Sequence, residues 1–162
     1  MNDDERIRRE LIELIPRLRR FARSLTRHHA DADDLVQVAL EKALGRLDQW
    51  QRGTRLDSWM FTILRNSWLD EIRSRKRRDE HAPLDGDDAI GTGPAAIDET
   101  LAIREAVSRL PEDQRTCLML VLVEGLSYKE AAETLGIPIG TVTSRLARGR
   151  EALQGVLGAE RG

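Results

Sequence analysis

The chain of 162 residues has one cysteine, Cys117. A single thiol cannot close an internal disulfide or build a metal cage alone, and its place in an apolar run predicts a core residue. The three histidines, His28, His29 and His81, lack the spacing of a structural zinc site, so no metal and no cofactor is expected. Aromatic residues make up 4% of the chain, and no apolar run approaches the roughly 20 residues that cross a bilayer. Membrane insertion is therefore not expected. The first stretch, MNDDERIRREL, is charged and lacks the apolar region of a secretory signal, which predicts a cytoplasmic protein. Neither a phosphate-binding loop nor a serine, histidine and acid constellation is legible. A metal-dependent nuclease built on Asp31, Asp33 and Asp34 is conceivable, but those acids are also what a helix start requires, and a non-enzymatic role is expected.

What is abundant is charge. Thirty-three per cent of the residues are charged, with 26 Lys and Arg against 28 Asp and Glu for a formal net charge of −2. That total does not exclude nucleic acid, because segregated basic patches bind phosphate while acids elsewhere cancel them. The length allows one domain or two small ones, and a break in texture near the middle favours two.

An all-α fold of two small helical domains is predicted. A first helix runs from Asp4 to Thr26 on apolar positions Ile7, Leu11, Leu14, Ile15, Leu18, Phe21, Ala22 and Leu25, with Pro16 bending or dividing it. Asp31 is read as the cap of a second helix, whose apolar side is Leu35, Val36, Ala39, Leu40, Ala43 and Leu44. Gln37, Glu41 and Lys42 face outward. Val38 has no polar explanation there, so it widens the core or belongs to a docking surface.

A polar connection, Asp48 to Thr54, then carries Trp50 and Gly53. Trp50 either stacks on an unpaired base or packs over the helix junction. Thr54 and Asp57 form a capping-box pattern ahead of the stretch from Arg55 to Arg78. There Leu56, Met60, Ile63, Leu64, Trp68 and Ile72 make a face for burial, while Asn66, Asp70, Arg73 and Arg77 recur on another. The stretch ends in Arg73, Arg75, Lys76, Arg77 and Arg78, a basic cluster suited to phosphate. Residues 79–97, rich in glycine, proline and acids, read as a flexible linker.

Beyond the linker, a helix over Glu99 to Leu110 precedes Pro111, which opens a run expected to be buried from Cys117 to Val123 and closed by Gly125. Ser127 and Glu130 make a capping box, and Gly136 ends that short helix. After IPIGT, a longer helix capped at Gly140 or Thr141 sets Val142, Leu146, Gly149, Leu153 and Val156 on one stripe. Thr141, Ser144, Arg145 and Arg148 lie around an outer face. A short helix, a tight turn and a longer polar helix form a helix-turn-helix signature, whose second helix can enter the major groove. Arg145 suits a guanine edge or phosphate, Arg148 the backbone, and Thr141, Thr143 and Ser144 a phosphate or base edge.

In order, DADDLVQ, WMFTILRNSWLDEIR, the polar linker, LPEDQR and GLSYKEAAETLGIPIGTVTSRLARGREAL resemble the bacterial RNA polymerase sigma factors of the extracytoplasmic-function (ECF) group in the sigma-70 superfamily, over nearly the whole chain. The resemblance implies a region 2 domain over 1–78, a linker over 79–97 and a region 4 helix-turn-helix domain over 98–162. It implies docking on core RNA polymerase through Asp34, Leu35, Gln37, Val38 and Glu41. It assigns the minus-10 promoter element to Trp50, Arg52, Thr54, Asn66, Asp70 and Arg73, with Arg75, Lys76, Arg77 and Arg78 on phosphates, and Asp70 either accepting from a base amino group or orienting Arg73. The minus-35 element falls to Thr141, Thr143, Ser144, Arg145 and Arg148. Implied partners are core RNA polymerase, promoter DNA and an anti-sigma factor, with no stable homo-oligomer, and implied localisation is cytoplasmic and nucleoid-associated when polymerase-bound. The chain departs from the family at Val38, usually an acid, at Thr143, often lysine or arginine, and at Gly149, commonly alanine. The competing expectation is a stand-alone helix-turn-helix regulator that binds duplex DNA without acting as a polymerase subunit.

Overall fold

A computed structural model of the chain describes residues 2–78 and 98–161; the predicted linker, residues 79–97, lies outside them. The described residues are helical, without a strand, and the chain divides into two compact units, one on either side of the bond between Gly86 and Asp87.

The first unit packs three helices against one another: α1 (Asp3–Thr26), α2 (His29–Leu44) and α3 (Leu56–Arg77). The Asn2 side chain accepts from the Glu5 N–H at 2.8 Å, and Asp3, Asp4 and Glu5 sit in the positive first turn of α1. Pro16 lies within α1 without dividing it. It occupies an exposed position, where water can satisfy the carbonyl its missing N–H leaves free. Leu11, Leu18, Phe21 and Ala22 reach the core, where Phe21 meets Phe61 edge to face at 5.3 Å between centroids.

Two predicted caps are formed differently. Asp31 does not cap α2, which begins at His29. The Thr26 hydroxyl ties the corner between the helices, donating to the His28 carbonyl at 3.0 Å and accepting from the His28 N–H at 3.2 Å. That moves the start upstream and leaves the Asp31 carboxylate for another partner. Nor do Thr54 and Asp57 form a capping box. Thr54 donates to the Gln51 carbonyl at 2.5 Å, closing the turn that Gly53 enters with φ 89°, and Asp57 instead gathers Arg17, Arg55 and the Ser58 N–H.

The second unit holds α4 (Asp98–Ser108), α5 (Glu112–Leu118) running into a π-helical turn (Met119–Val123), α6 (Tyr128–Leu135) and α7 (Ile139–Arg161). The buried Arg115 guanidinium donates to the Leu110 carbonyl at 2.8 Å and braces the corner between α4 and α5. Cys117 is fully buried, as expected, with Leu118 and Leu120. The expected burial of the whole run to Val123 does not hold, since Leu122 and Val123 are exposed. Seven consecutive apolar residues wrap about two helical turns and cannot all face one core.

The Ser127 and Glu130 capping box is present, at 3.0 and 2.8 Å, and Gly136 caps α6 in the left-handed region. The start of α7 precedes the expected cap at Gly140 or Thr141. The Pro138 carbonyl accepts from the N–H groups of Thr141 and Val142, so the first turn closes on Pro138. Val142 and Leu146 are buried, while the Val156 side chain lies outside the described residues.

Candidate nucleic-acid interface

On α3, burial of Leu56, Met60, Leu64 and Trp68 turns Asn66, Asp70 and Arg73 outward, and all three are exposed. Asp70 lies between two cations, 3.7 Å from Arg73 on its own helix and 3.7 Å from Lys42 on α2. Lys42 also donates to the buried Ser67 hydroxyl at 3.1 Å. One ammonium on α2 therefore bonds one polar group on α3 and lies close to a second, the exposed Asp70 carboxylate. Sequence reading treated Lys42 as an outward residue, because no periodicity within one helix reports a contact to another.

The basic end of α3 is not uniform. Lys76 and Arg77 are exposed. Arg75 turns inward, 3.0 Å from Glu71, 3.4 Å from Asp31 of α2, and 5.5 Å above the ring of Trp68. Burial alone would lower its pKa, but the Glu71 and Asp31 carboxylates outweigh it and raise the value further. Arg78 lies 3.6 Å from Glu71.

In the connection before α3, Arg52 pairs with Asp3 and with Asp4, at 3.8 Å for the latter. Trp50 is half-buried, and its indole nitrogen is enclosed without a hydrogen-bond partner in the structure. Arg52 and Thr54 are thus engaged with the first helix and with the loop itself.

The outer face of α2 presents Asp34, Gln37, Val38 and Glu41, all exposed, with Val38 at 41%. Leu35, 5% exposed, is a core residue beneath them. Beside this face a cleft of about 190 Å³ runs between α2 and α3, with Val38 and Asp34 on its wall and Trp68 and Arg75 across from them.

In the second unit, Thr143, Ser144 and Arg148 are exposed on α7 and Thr141 is half-buried. The hydroxyls of Thr143 and Ser144 donate back to the carbonyls of Ile139 and Gly140 at 3.2 and 3.0 Å, which leaves their oxygens to accept. The Arg145 side chain is 28% exposed and its Nε lies 3.6 Å from Asp113 at the start of α5. Burial pushes the Cys117 thiol up, opposed by the charge and hydrogen bond of Arg145. Among the described residues no cluster of side chains could hold a metal ion, and no helix is long and apolar enough to cross a membrane.

Comparison with known proteins accounts for both units. Residues 11–78 match the model for sigma-70 region 2, and residues 100–153 match that for sigma-70 region 4. The chain is 41% identical over 155 residues to the ECF RNA polymerase sigma factor EcfG of Rhodopseudomonas palustris, spanning 93% of this chain and 84% of that protein. It is 34% identical over 141 residues to the ECF RNA polymerase sigma factor SigM of Mycobacterium tuberculosis, spanning 87% and 71%. Among solved structures it resembles the sigma factor RpoE of Bartonella quintana, determined in complex with the anti-sigma factor NepR, with a TM-score of 0.80 and 36% identity over 93% of this chain and 96% of that one. The chain belongs to the ECF RNA polymerase sigma factors of the sigma-70 family. Its function is promoter recognition for RNA polymerase, a noncatalytic task, and the expectation of a stand-alone regulator gives way to it.

Proposed function

We propose that the minus-10 element is read by α3 and the minus-35 element by α7, while the outer face of α2 docks on core RNA polymerase. The observation that carries this reading is the exposed group Asn66, Asp70 and Arg73, with Asp70 held by Lys42. A carboxylate flanked by two cations can accept from a base amino group while its neighbouring arginine donates. Lys76 and Arg77 supply sequence-independent phosphate contacts beside them. Trp50, Arg52 and Thr54 border the same helix. A role for Arg52 on DNA requires exchanging Asp3 and Asp4 for a phosphate, and a role for Arg75 requires leaving Asp31 and Glu71.

On α7, Thr141, Thr143 and Ser144 offer oxygens to base amino groups, Arg145 a guanidinium to a guanine edge, and Arg148 a phosphate contact. The polymerase dock is Asp34, Gln37, Val38 and Glu41, with Leu35 supporting them from below. Val38 gives this dock an apolar contact where the family usually has an acid. The two reading domains, 1–78 and 98–162, act through one linker, so simultaneous engagement raises the effective concentration of the second. By likeness to the Bartonella quintana protein, an anti-sigma factor is a further partner. The working form is a monomer on polymerase, cytoplasmic and associated with the nucleoid.

Reconstitution with core RNA polymerase and selection of promoters from a randomised pool tests the assignment. Asn66→Ala should alter preference within the minus-10 element alone, and Arg145→Ala within the minus-35 element alone. Unchanged preference in both variants would sink the reading.

A further inference from the structure

Arg145 has the same residue type as Arg148, one turn further along α7, yet the two are held differently. Arg148 is exposed, whereas Arg145 leans on α5 with its Nε 3.6 Å from the Asp113 Oδ2. Asp113 is itself fixed, because its Oδ1 accepts from the backbone N–H of Gln114 at 2.9 Å. The carboxylate therefore has one oxygen committed to the backbone of α5 and the other turned towards the guanidinium. Asp113 is approached through Nε, and the guanidinium also hydrogen-bonds the Cys117 thiol, so the N–H groups that remain are the ones able to meet acceptors on a base edge. Beneath the guanidinium lies the buried Cys117, which further limits where the arginine can swing.

We propose that Asp113 is a positioning residue for minus-35 recognition, bracing Arg145 so that its remaining N–H groups meet a guanine edge in a fixed orientation. The inference rests on the reading that Arg145 contacts that element. A long, unbraced arginine makes equally good contacts with phosphates and with several bases, so it adds affinity with little discrimination. A braced one has its rotamers restricted before binding and is presented in one geometry, which favours the two-acceptor edge of guanine over the mixed edge of adenine. The negative charge of Asp113 works against general attraction to DNA. Its expected contribution is to selectivity and not to total binding, and that separates it from a phosphate-binding group.

The test uses the full chain on core RNA polymerase with a promoter pool randomised through the minus-35 element, comparing Asp113→Asn, Asp113→Glu and Arg145→Ala. Asparagine keeps the bond to the Gln114 N–H and removes the charge. It should flatten the preference at the base read by Arg145 about tenfold, with binding averaged over the pool unchanged or higher, while glutamate should restore much of the preference. If Arg145→Ala flattens that position and Asp113→Asn does not, the brace is wrong and the reading of Arg145 stands. If Arg145→Ala leaves the profile unaltered, that underlying reading fails and the brace with it. A lower melting temperature for Asp113→Asn with an unaltered profile also overturns the proposal, since it confines Asp113 to starting α5.

Discussion

Gly149 of α7 lies directly against Leu118 of α5: a Cβ built on Gly149 would come 2.8 Å from the Leu118 Cδ1 and 3.2 Å from its Cγ. Glycine in a helix costs up to about 1 kcal/mol against alanine, and the family's common alanine would recover that. Here the space is already taken by a leucine that is itself buried in the core.

Gly149→Ala should therefore destabilise the second unit by about 1 kcal/mol, because overpacking a filled site costs about 1 to 3 kcal/mol and exceeds the propensity gained. Gly155, on the same helix, is exposed with no atom near its missing Cβ, so Gly155→Ala should stabilise by about 0.5 to 1 kcal/mol. Urea unfolding of the two variants compares them directly. Equal stabilisation by both would show that Leu118 yields without cost.

This pair shows where the sequence was legible. The apolar stripes of α1, α3 and α7, the capping box of Ser127 and Glu130 and the glycine at the end of α6 could be read because each depends on spacing within one element. The caps of α2 and α3 were misread because both local capping patterns lost to other partners, although α3 starts within one residue of the expected place. Thr26 took the corner at His28, and Arg17, forty residues away, took Asp57. The exposed face of α3 was legible from its period, but not that Lys42 holds Asp70 or that Asp113 faces Arg145. Such pairs join residues from different helices, and only packing brings them together.

Asp57 makes part of that packing sensitive to pH. Burial would raise its carboxyl pKa, but the hydrogen bond and charge of Arg55, the Ser58 N–H and the Arg17 bond together outweigh burial and hold it below the ordinary value of 3.8. A carboxyl whose folded pKa is depressed contributes stability that is fully present above the unfolded value. That stability is lost as pH falls through the folded value. The first unit should therefore weaken as pH drops below about 3.8. Asp57→Asn should remove part of that dependence while lowering stability at neutral pH by on the order of 1 to 3 kcal/mol. Thermal melts from pH 7 to pH 3 decide it: parallel curves for variant and parent would mean that Asp57 does not carry the acid sensitivity.

Arg75 and its neighbours Lys76 and Arg77 separate structural from phosphate-binding charge within three consecutive residues. Each phosphate contact releases counterions and steepens the salt dependence of binding, so Lys76→Ala or Arg77→Ala should reduce the slope of log K against log salt by about one unit. Arg75 is already neutralised by Glu71 and Asp31, at 3.0 and 3.4 Å, and lies over Trp68. Arg75→Met keeps much of the apolar stem and removes the charge. Its expected effect is a loss of about 1 to 2 kcal/mol in stability of the first unit, from a partly exposed ion pair and a cation–π contact, with the salt slope unaltered. Promoter binding by the reconstituted polymerase across a salt series, together with unfolding of the free chain, distinguishes the two roles. A slope reduced as much by Arg75→Met as by Lys76→Ala would mean that Arg75 leaves its carboxylates for DNA, and that the join between α2 and α3 opens when the promoter binds.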